Sequence, residues 1–185
     1  MSLLPVKLIK TNKHDHFILL FCREHKNAYL YVEKLKDMTY KALDIAKKLI
    51  FKAQNDEPNG GERLTNLKLQ KLLYYQQGYH LAAFGTPLFS ENVEAWMYGP
   101  VVPAVYDVFS AYGSSALPVV EEEILLTDEE EILFNQAYDA YREFSAIGLM
   151  NRTHTERPWI EAMPHDRGTV IPLSSMESYF KTQMQ

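Results

Sequence analysis

The residue types best suited to acid–base catalysis lie in one short stretch near the C-terminal end. His154 is followed by Glu156 and Glu161, and a histidine beside a carboxylate can transfer protons at neutral pH. No Ser or Cys lies in a recognisable nucleophile elbow, and Cys22 belongs to a segment of different composition. We therefore predict no catalytic residue, and we expect His154 to hydrogen-bond backbone in the turn before Trp159. An enzyme that uses His154 with one of the two carboxylates stays open as an alternative.

Metal and cofactor binding are not indicated either. His14, Asp15 and His16 are adjacent but lack a second pair of ligands, whereas a protein metal site needs several converging side chains. His80 lies on an apolar helix face, one turn after Gln76, which is typical of a core histidine with satisfied hydrogen bonds. The Gly-rich loop lacks the frame of a phosphate-binding loop. We expect no metal and no cofactor.

The composition is that of a globular protein with an acidic main body. Of 185 residues, 46% are apolar and 23% charged, and the net charge is −5. Residues 1–37 carry seven Lys or Arg and four Asp or Glu, whereas residues 38–185 carry 12 and 20. An acidic body disfavours contact with phosphate backbones. No apolar run reaches the about 18 residues of a membrane span. With one cysteine and no recognisable secretory signal, we expect a cytoplasmic protein.

Residues 1–37 differ from the rest of the chain. Two short segments rich in β-branched and aromatic residues, His16–Cys22 and Ala28–Val32, are separated by charged residues, which predicts a hairpin. Met38 directly precedes a helix start, so it is a candidate natural initiator. We therefore divide the chain into an N-terminal extension, 1–37, and a domain, 38–185. The extension is either a non-native start or an element specific to one partner.

Helical periodicity begins directly after this extension. A first helix is predicted from Tyr40 to Gln54 with Thr39 as its N-cap. A second, capped by Thr65, runs to Gly85 and is apolar on more than one side, which indicates a central helix. Gly78 in its interior costs about 1 kcal/mol relative to Ala, so we expect another backbone to pack closely there.

The stretch EAWMYGPVVPAVYDVF combines two periodicities. Residues 93–98 alternate as a strand does, and helical spacing follows until Gly113. Gly99 permits a sharp turn, and Pro100 suits the first position of a helix, where no N–H is needed. We therefore predict a strand, a turn and a helix, with the Gly-Pro pair in a structural role.

The C-terminal third reads as three helical regions and one extended segment. Thr127 and Glu130 predict a capping box for a helix that Gly148 closes, and Ser174 with Glu177 predicts another for the last helix. Two short helical turns and the extended segment TVIPL lie between them. The predicted fold is mainly α, a compact single-domain helical bundle with a small β-hairpin or short sheet.

Three ordered segments resemble one known family. LTNLKLQKLLYYQQGYHLAAFGTPLF, VEAWMYGPVVPAVYDVF and THTERPW together resemble the Panacea domain, whose members are SocA-like or GepA-like phage-associated proteins. The resemblance runs from about Thr39 to Phe180. It implies a mostly helical domain that provides no catalytic residue. The family motif falls on positions expected to be scaffold first and protein contacts second: Lys71, Tyr74, Tyr75, Trp96, Tyr98, Gly99, Pro100, His154 and Trp159.

The resemblance also implies a function. Panacea proteins act as antitoxins that neutralise a toxin by direct protein contact, so the expected partner is a cognate toxin encoded by the adjacent gene. One family branch hands its toxin to the ClpXP protease, and that adaptor role is the first alternative. Autoregulation through DNA binding by the basic residues 1–37 is another, and the small His/Glu-dependent enzyme is the least favoured. We expect no membrane contact.

Overall fold

The computed structural model describes residues 39–56, 63–121, 124–163 and 168–184. The chain divides into two units, Met1–Met38 and Thr39–Gln185. The first unit lies outside the described residues, and so do the predicted hairpin within 16–32 and the candidate initiator Met38. The division into 1–37 and 38–185 therefore stays a prediction.

The second unit is mainly α, as predicted from the sequence. Its described residues form seven α-helices, a short 3₁₀ helix at Ser110–Tyr112 and a three-stranded antiparallel sheet. The helices are α1 Ala42–Asp56, α2 Asn66–Phe84, α3 Pro103–Phe109, α4 Asp128–Tyr141, α5 Ala146–Thr153, α6 Arg157–Ala162 and α7 Leu173–Gln183. The strands are β1 Glu94–Trp96, β2 Gly99–Val101 and β3 Thr169–Val170. None of the described helices combines the length and the hydropathy that a membrane crossing requires.

Helix α2 lies at the centre, in contact with α1, α3, α4, α5, α7 and β2. Thr65 begins it by accepting a hydrogen bond from the backbone N–H of Lys68, and Gly85 ends it in the left-handed conformation at φ 72°. Both caps were predicted, because each depends on residues close in the sequence. Apolar and polar residues are buried on several faces of α2, so its sequence lacks the single polar stripe of a surface helix.

Helix α7 packs against α2 at Gly78, where the sequence predicts the close approach of another backbone. The observed contact differs from this expectation. A Cβ added to Gly78 would overlap with the ring of Phe180. The close neighbour is therefore a side chain and not a second backbone. The same ring packs edge-on against Tyr74 and Tyr79, with centroid distances of 5.3 and 4.9 Å. Gly78 thus gives an aromatic ring room to lie against the α2 backbone.

The sheet has the order β2–β1–β3, and a tight hairpin joins β1 to β2. The hairpin pairs Trp96 with Gly99 and Ala95 with Pro100. Pro100 therefore lies in the second strand, and the prediction that it begins a helix is wrong. Helix α3 begins three residues later, with Pro103 in its first turn. The segment is strand, turn, strand and helix.

Two predicted N-caps are also wrong. Helix α1 begins at Ala42, beyond the reach of Thr39 as a cap, and the Glu91 carboxylate accepts the Ala42 N–H at 3.1 Å. Helix α7 begins at Leu173 after Pro172 and has no side-chain cap, so Ser174 forms no capping box. For α1, the hydrogen-bond acceptor comes from Glu91, which is distant in the sequence. The residues next to the start of α1 therefore do not reveal it.

The capping box of Thr127 and Glu130 at the start of α4 is confirmed. The predicted end of that helix is wrong, because α4 stops at Tyr141. Gly148 lies inside α5, where its N–H donates to the hydroxyl of the cap Ser145 at 3.0 Å. A second N-cap therefore divides one predicted helix into two.

We predict that Gly78→Ala lowers the free energy of unfolding by up to about 2 kcal/mol. Displacing the Phe180 ring costs about 1–3 kcal/mol, and alanine regains about 1 kcal/mol over glycine inside a helix. Urea titration followed by circular dichroism measures the change.

The control is Gly148→Ala, where the nearest atom to the new Cβ is a hydroxyl at 3.2 Å. We expect its stability to stay within about 1 kcal/mol of the wild type. Phe180→Leu should cost less in the Gly78→Ala background than alone, because the two sites share one contact. A Gly78→Ala protein as stable as the control variant contradicts the packing described.

Candidate functional site

Four elements meet beneath the turn of the β1–β2 hairpin. Lys71 comes from α2, Gly99 from β2, Thr153 from the end of α5 and Trp159 from α6. A Cβ placed on Gly99 would lie 2.6 Å from the Thr153 hydroxyl and 2.8 Å from Cε of Lys71. Gly99 also has φ +93°, which L side chains rarely adopt. Only glycine satisfies both constraints at this position.

Lys71 supports the second strand from below. Its side chain has 0% exposure, and Nζ donates a hydrogen bond to the carbonyl oxygen of Pro100 at 2.9 Å. Burial lowers the pKa of Lys71 to about 7, because a charged ammonium loses its hydration in the core. The side chain therefore acts as a buried hydrogen-bond donor whose charge is largely removed above neutral pH.

Trp159 holds the first strand of the same hairpin. Its indole N–H donates to the carbonyl oxygen of Trp96 at 3.0 Å. The indole N–H of Trp96 in turn donates to the Glu94 carboxylate at 2.9 Å, and its ring packs against Tyr106 at a centroid distance of 5.1 Å. The backbone on each side of the turn therefore receives one side-chain hydrogen bond, from Trp159 and from Lys71.

His154 lies in this structural arrangement. Its ring stacks on Trp159, with centroids 4.1 Å apart and planes 17° from parallel. Nε2 is buried and has no hydrogen-bond partner among the described residues. Burial, followed by the charge of Lys71, lowers the pKa of His154, although a backbone hydrogen bond at Met97 raises it. The imidazole is therefore neutral at physiological pH. Its backbone hydrogen bond is at Met97, in the hairpin turn, and not in the turn before Trp159, where the sequence predicted it.

Glu156 belongs to a second buried group behind the hairpin. It is 2% exposed, and its Oε1 accepts from the Tyr75 hydroxyl at 3.0 Å and lies 3.6 Å from Nε of Arg152. Burial raises the pKa of Glu156, while the Tyr75 hydrogen bond and the Arg152 charge oppose that rise. Tyr75 also stacks on Tyr141 with centroids 3.7 Å apart. This carboxylate links α2 to the segment between α5 and α6.

The acid–base pairs considered from the sequence are engaged in other contacts. Glu161 forms two hydrogen bonds with Arg157, at 2.9 and 3.1 Å, and Glu156 is bound to Tyr75. Two surface cavities in the described part of the chain, of about 290 and 220 Å³, are lined by residues other than His154 and Glu156. Within the same residues, no three metal-binding side chains are grouped, and His14, Asp15 and His16 lie outside them.

His80 is a buried core histidine, as predicted. Its Nδ1 lies 2.7 Å from the Thr86 carbonyl oxygen and its Nε2 lies 3.3 Å from the Glu130 carboxylate. Burial alone would raise the pKa of Glu130, but hydrogen bonds from His80, Tyr40 and Thr127 lower it to about 2. This network joins α2 to the N-terminus of α4.

The nine motif positions differ in exposure. Lys71, Tyr74, Tyr75, Gly99 and Pro100 are buried, and Trp96, His154 and Trp159 are partly buried.

Tyr98 is the exposed member, with 63% exposure, and Met97 beside it is 67% exposed. Strand alternation had placed Met97 on the side of Val93 and Ala95, so the sequence reasoning missed it. Recognising the two-residue hairpin turn would have identified Met97, because a residue in the turn need not follow the alternation of the strand before it.

Comparisons with known proteins agree with the motif. Residues 69–160 match the family model described as antitoxin SocA-like, Panacea domain. A segment of 50 residues is 52% identical to antitoxin SocA of Caulobacter vibrioides (strain NA1000 / CB15N), and it covers 27% of this chain and 27% of that protein. No solved structure matches the chain. The resemblance stated from the sequence is confirmed.

We predict that Gly99→Ala lowers the free energy of unfolding by about 2–4 kcal/mol, because backbone strain and overlap with buried side chains add together. The matched control is Gly85→Ala, which also has a positive φ, of 72°, but has no atom within 4 Å of the new Cβ. We expect the control to lose only about 1–2 kcal/mol. Chemical denaturation of both variants checks this, and equal losses would contradict the packing of Lys71 and Thr153 against Gly99.

Proposed function

Residues 69–160 belong to the antitoxin SocA-like Panacea family, and from this premise we propose that the protein is an antitoxin. It neutralises a cognate toxin, the product of a neighbouring gene, by direct protein–protein contact in the cytoplasm. The family match supports the antitoxin role. The observation that carries the proposal is this match, together with the structural contacts that occupy the motif residues.

Neutralisation by contact requires no reaction. The two side chains best suited to proton transfer, His154 and Glu156, take part in a ring stack and a buried hydrogen bond. A standard interface of about 1,600 Å² with a few aromatic anchors suffices for tight binding. We therefore propose a non-enzymatic mechanism in which the antitoxin binds the toxin and blocks its working surface.

Co-expression tests the proposal. The neighbouring gene product is induced alone and together with this protein, while growth is followed and the complex is isolated by size-exclusion chromatography. We expect growth arrest without the partner and full rescue with it, accompanied by a stable complex. A harmless neighbour, or a toxic neighbour that is neither bound nor rescued, would refute the assignment.

Toxin abundance in the same cultures separates binding from proteolysis. If the protein neutralises the toxin by binding alone, the half-life of the toxin stays unchanged or lengthens when both proteins are present. A toxin half-life that shortens, and recovers when ClpXP is removed, would favour the adaptor alternative over binding alone.

We predict that His154→Phe retains neutralisation. A phenyl ring preserves the stack on Trp159 but loses the hydrogen bond at the Met97 backbone, so we expect a loss of stability of about 1–2 kcal/mol. The growth assay and a thermal melt are both measured. Loss of rescue by a variant that stays folded at the growth temperature and still forms the complex with the neighbouring gene product would support the enzyme alternative.

A further inference from the structure

The turn of the hairpin exposes two large apolar side chains that its folding does not require. Met97 and Tyr98 are 67% and 63% exposed, whereas Gly, Asn and Asp are the residues that such turns normally favour. Neither side chain belongs to the buried core of the described residues. Neither turn chemistry nor core packing accounts for a methionine followed by a tyrosine.

The backbone that carries these two residues is held in place from both ends. Trp159 donates to the carbonyl oxygen of Trp96, the residue before the turn, at 3.0 Å. Lys71 donates to the carbonyl oxygen of Pro100, two residues after the turn, at 2.9 Å. A rigid turn loses less conformational entropy when it binds, so this bracing favours affinity.

The side chains around the turn are mainly aromatic, and the Glu94 carboxylate is bound to the indole N–H of Trp96. Trp96, His154 and Trp159 are partly exposed beside it, and burial lowers the pKa of His154, so that its imidazole is neutral at pH 7. The charge of Lys71 is buried beneath the strand. Met, Tyr and Trp are the residue types enriched at protein interfaces, whose centres are depleted of charge. A nucleic acid would instead require exposed basic side chains.

We propose that Met97 and Tyr98 insert into an apolar cleft on the folded surface of the cognate toxin. The proposal rests on the proposed function and adds the contact surface and the chemistry of its partner. The occupant is a folded protein with a concave apolar site, because the contact is a protruding pair of side chains on a rigid turn. The partly exposed aromatic rings around the pair form the rim of the interface.

A double substitution tests the contact surface. Met97→Ser/Tyr98→Ser is compared with Val119→Ser/Leu125→Ser, which removes two other exposed apolar side chains, at 71% and 91% exposure. Binding of the purified neighbouring gene product is measured by titration calorimetry. We expect at least a ~30-fold loss of affinity for the turn variant, which corresponds to one hot-spot residue, and a change below about threefold for the control.

The outcomes distinguish this inference from the function on which it rests. If the wild type binds and rescues while the turn variant binds equally well, the inference is overturned and the antitoxin assignment stands. If the wild type itself does not bind, both are rejected. Thermal melts establish whether both variants keep the wild-type fold, and a turn variant that melts early is replaced by Tyr98→Ala alone, with the same expected direction.

Photo-crosslinking tests the chemistry of the partner. Tyr98→benzoylphenylalanine and, as a control, Leu125→benzoylphenylalanine are mixed with the neighbouring gene product and irradiated. We expect a crosslink from position 98 to a peptide rich in buried or cleft-lining apolar residues, and none from position 125. A complex that forms without a crosslink at position 98, or one that crosslinks to a charged convex surface, would overturn the proposal.

Discussion

The side-chain nitrogen of Lys71, buried in the core with no exposed surface, donates a hydrogen bond to the carbonyl oxygen of Pro100. Burying a lysine costs free energy, because its charged form is poorly solvated there, and its pKa falls to about 7 as a result. Among the buried lysines of the described residues, Lys71 is the one with no exposed surface, and it lies under the second strand of the hairpin. Gly99 must be a glycine because the lysine and Thr153 fill the space a side chain would take.

The three motif segments become one structural unit when they are placed around this lysine. The α2 segment supplies the support from below, and the hairpin supplies the supported backbone. The third segment, which runs from the end of α5 into α6, supplies Trp159, which binds the other strand, and Glu156, which is bound to Tyr75 on α2. The aromatic and charged residues of the motif, which include residue types used in catalysis, therefore position the backbone of the hairpin turn. The exposed side chains of this turn are apolar, and an apolar surface suits a protein partner.

The parts of the fold that depend on neighbouring residues were predictable from the sequence. The capping box of Thr127 and Glu130 was confirmed, as were the mainly helical class and the central helix. Two of the errors arose where segments distant in the sequence determine the structure. Glu91 supplies the acceptor at the start of α1. Lys71 of α2 binds the carbonyl oxygen of Pro100, and Trp159 of α6 binds that of Trp96 in the paired strand. The resemblance likewise selected the motif positions, but exposure depends on tertiary packing, so the sequence did not distinguish Tyr98 from its buried companions.

The pH dependence of stability, compared between the wild type and Lys71→Met, tests the buried support most directly. The pKa of Lys71 is about 7 in the folded protein and 10.5 when unperturbed, so the unfolded chain binds the extra proton between these values. The free energy of unfolding of the wild type should therefore rise relative to the variant from pH 7.5 to 9.5, by up to about 1.4 kcal/mol per pH unit. Parallel curves for the two proteins over this range would contradict a buried lysine that gives up its charge to hold the hairpin.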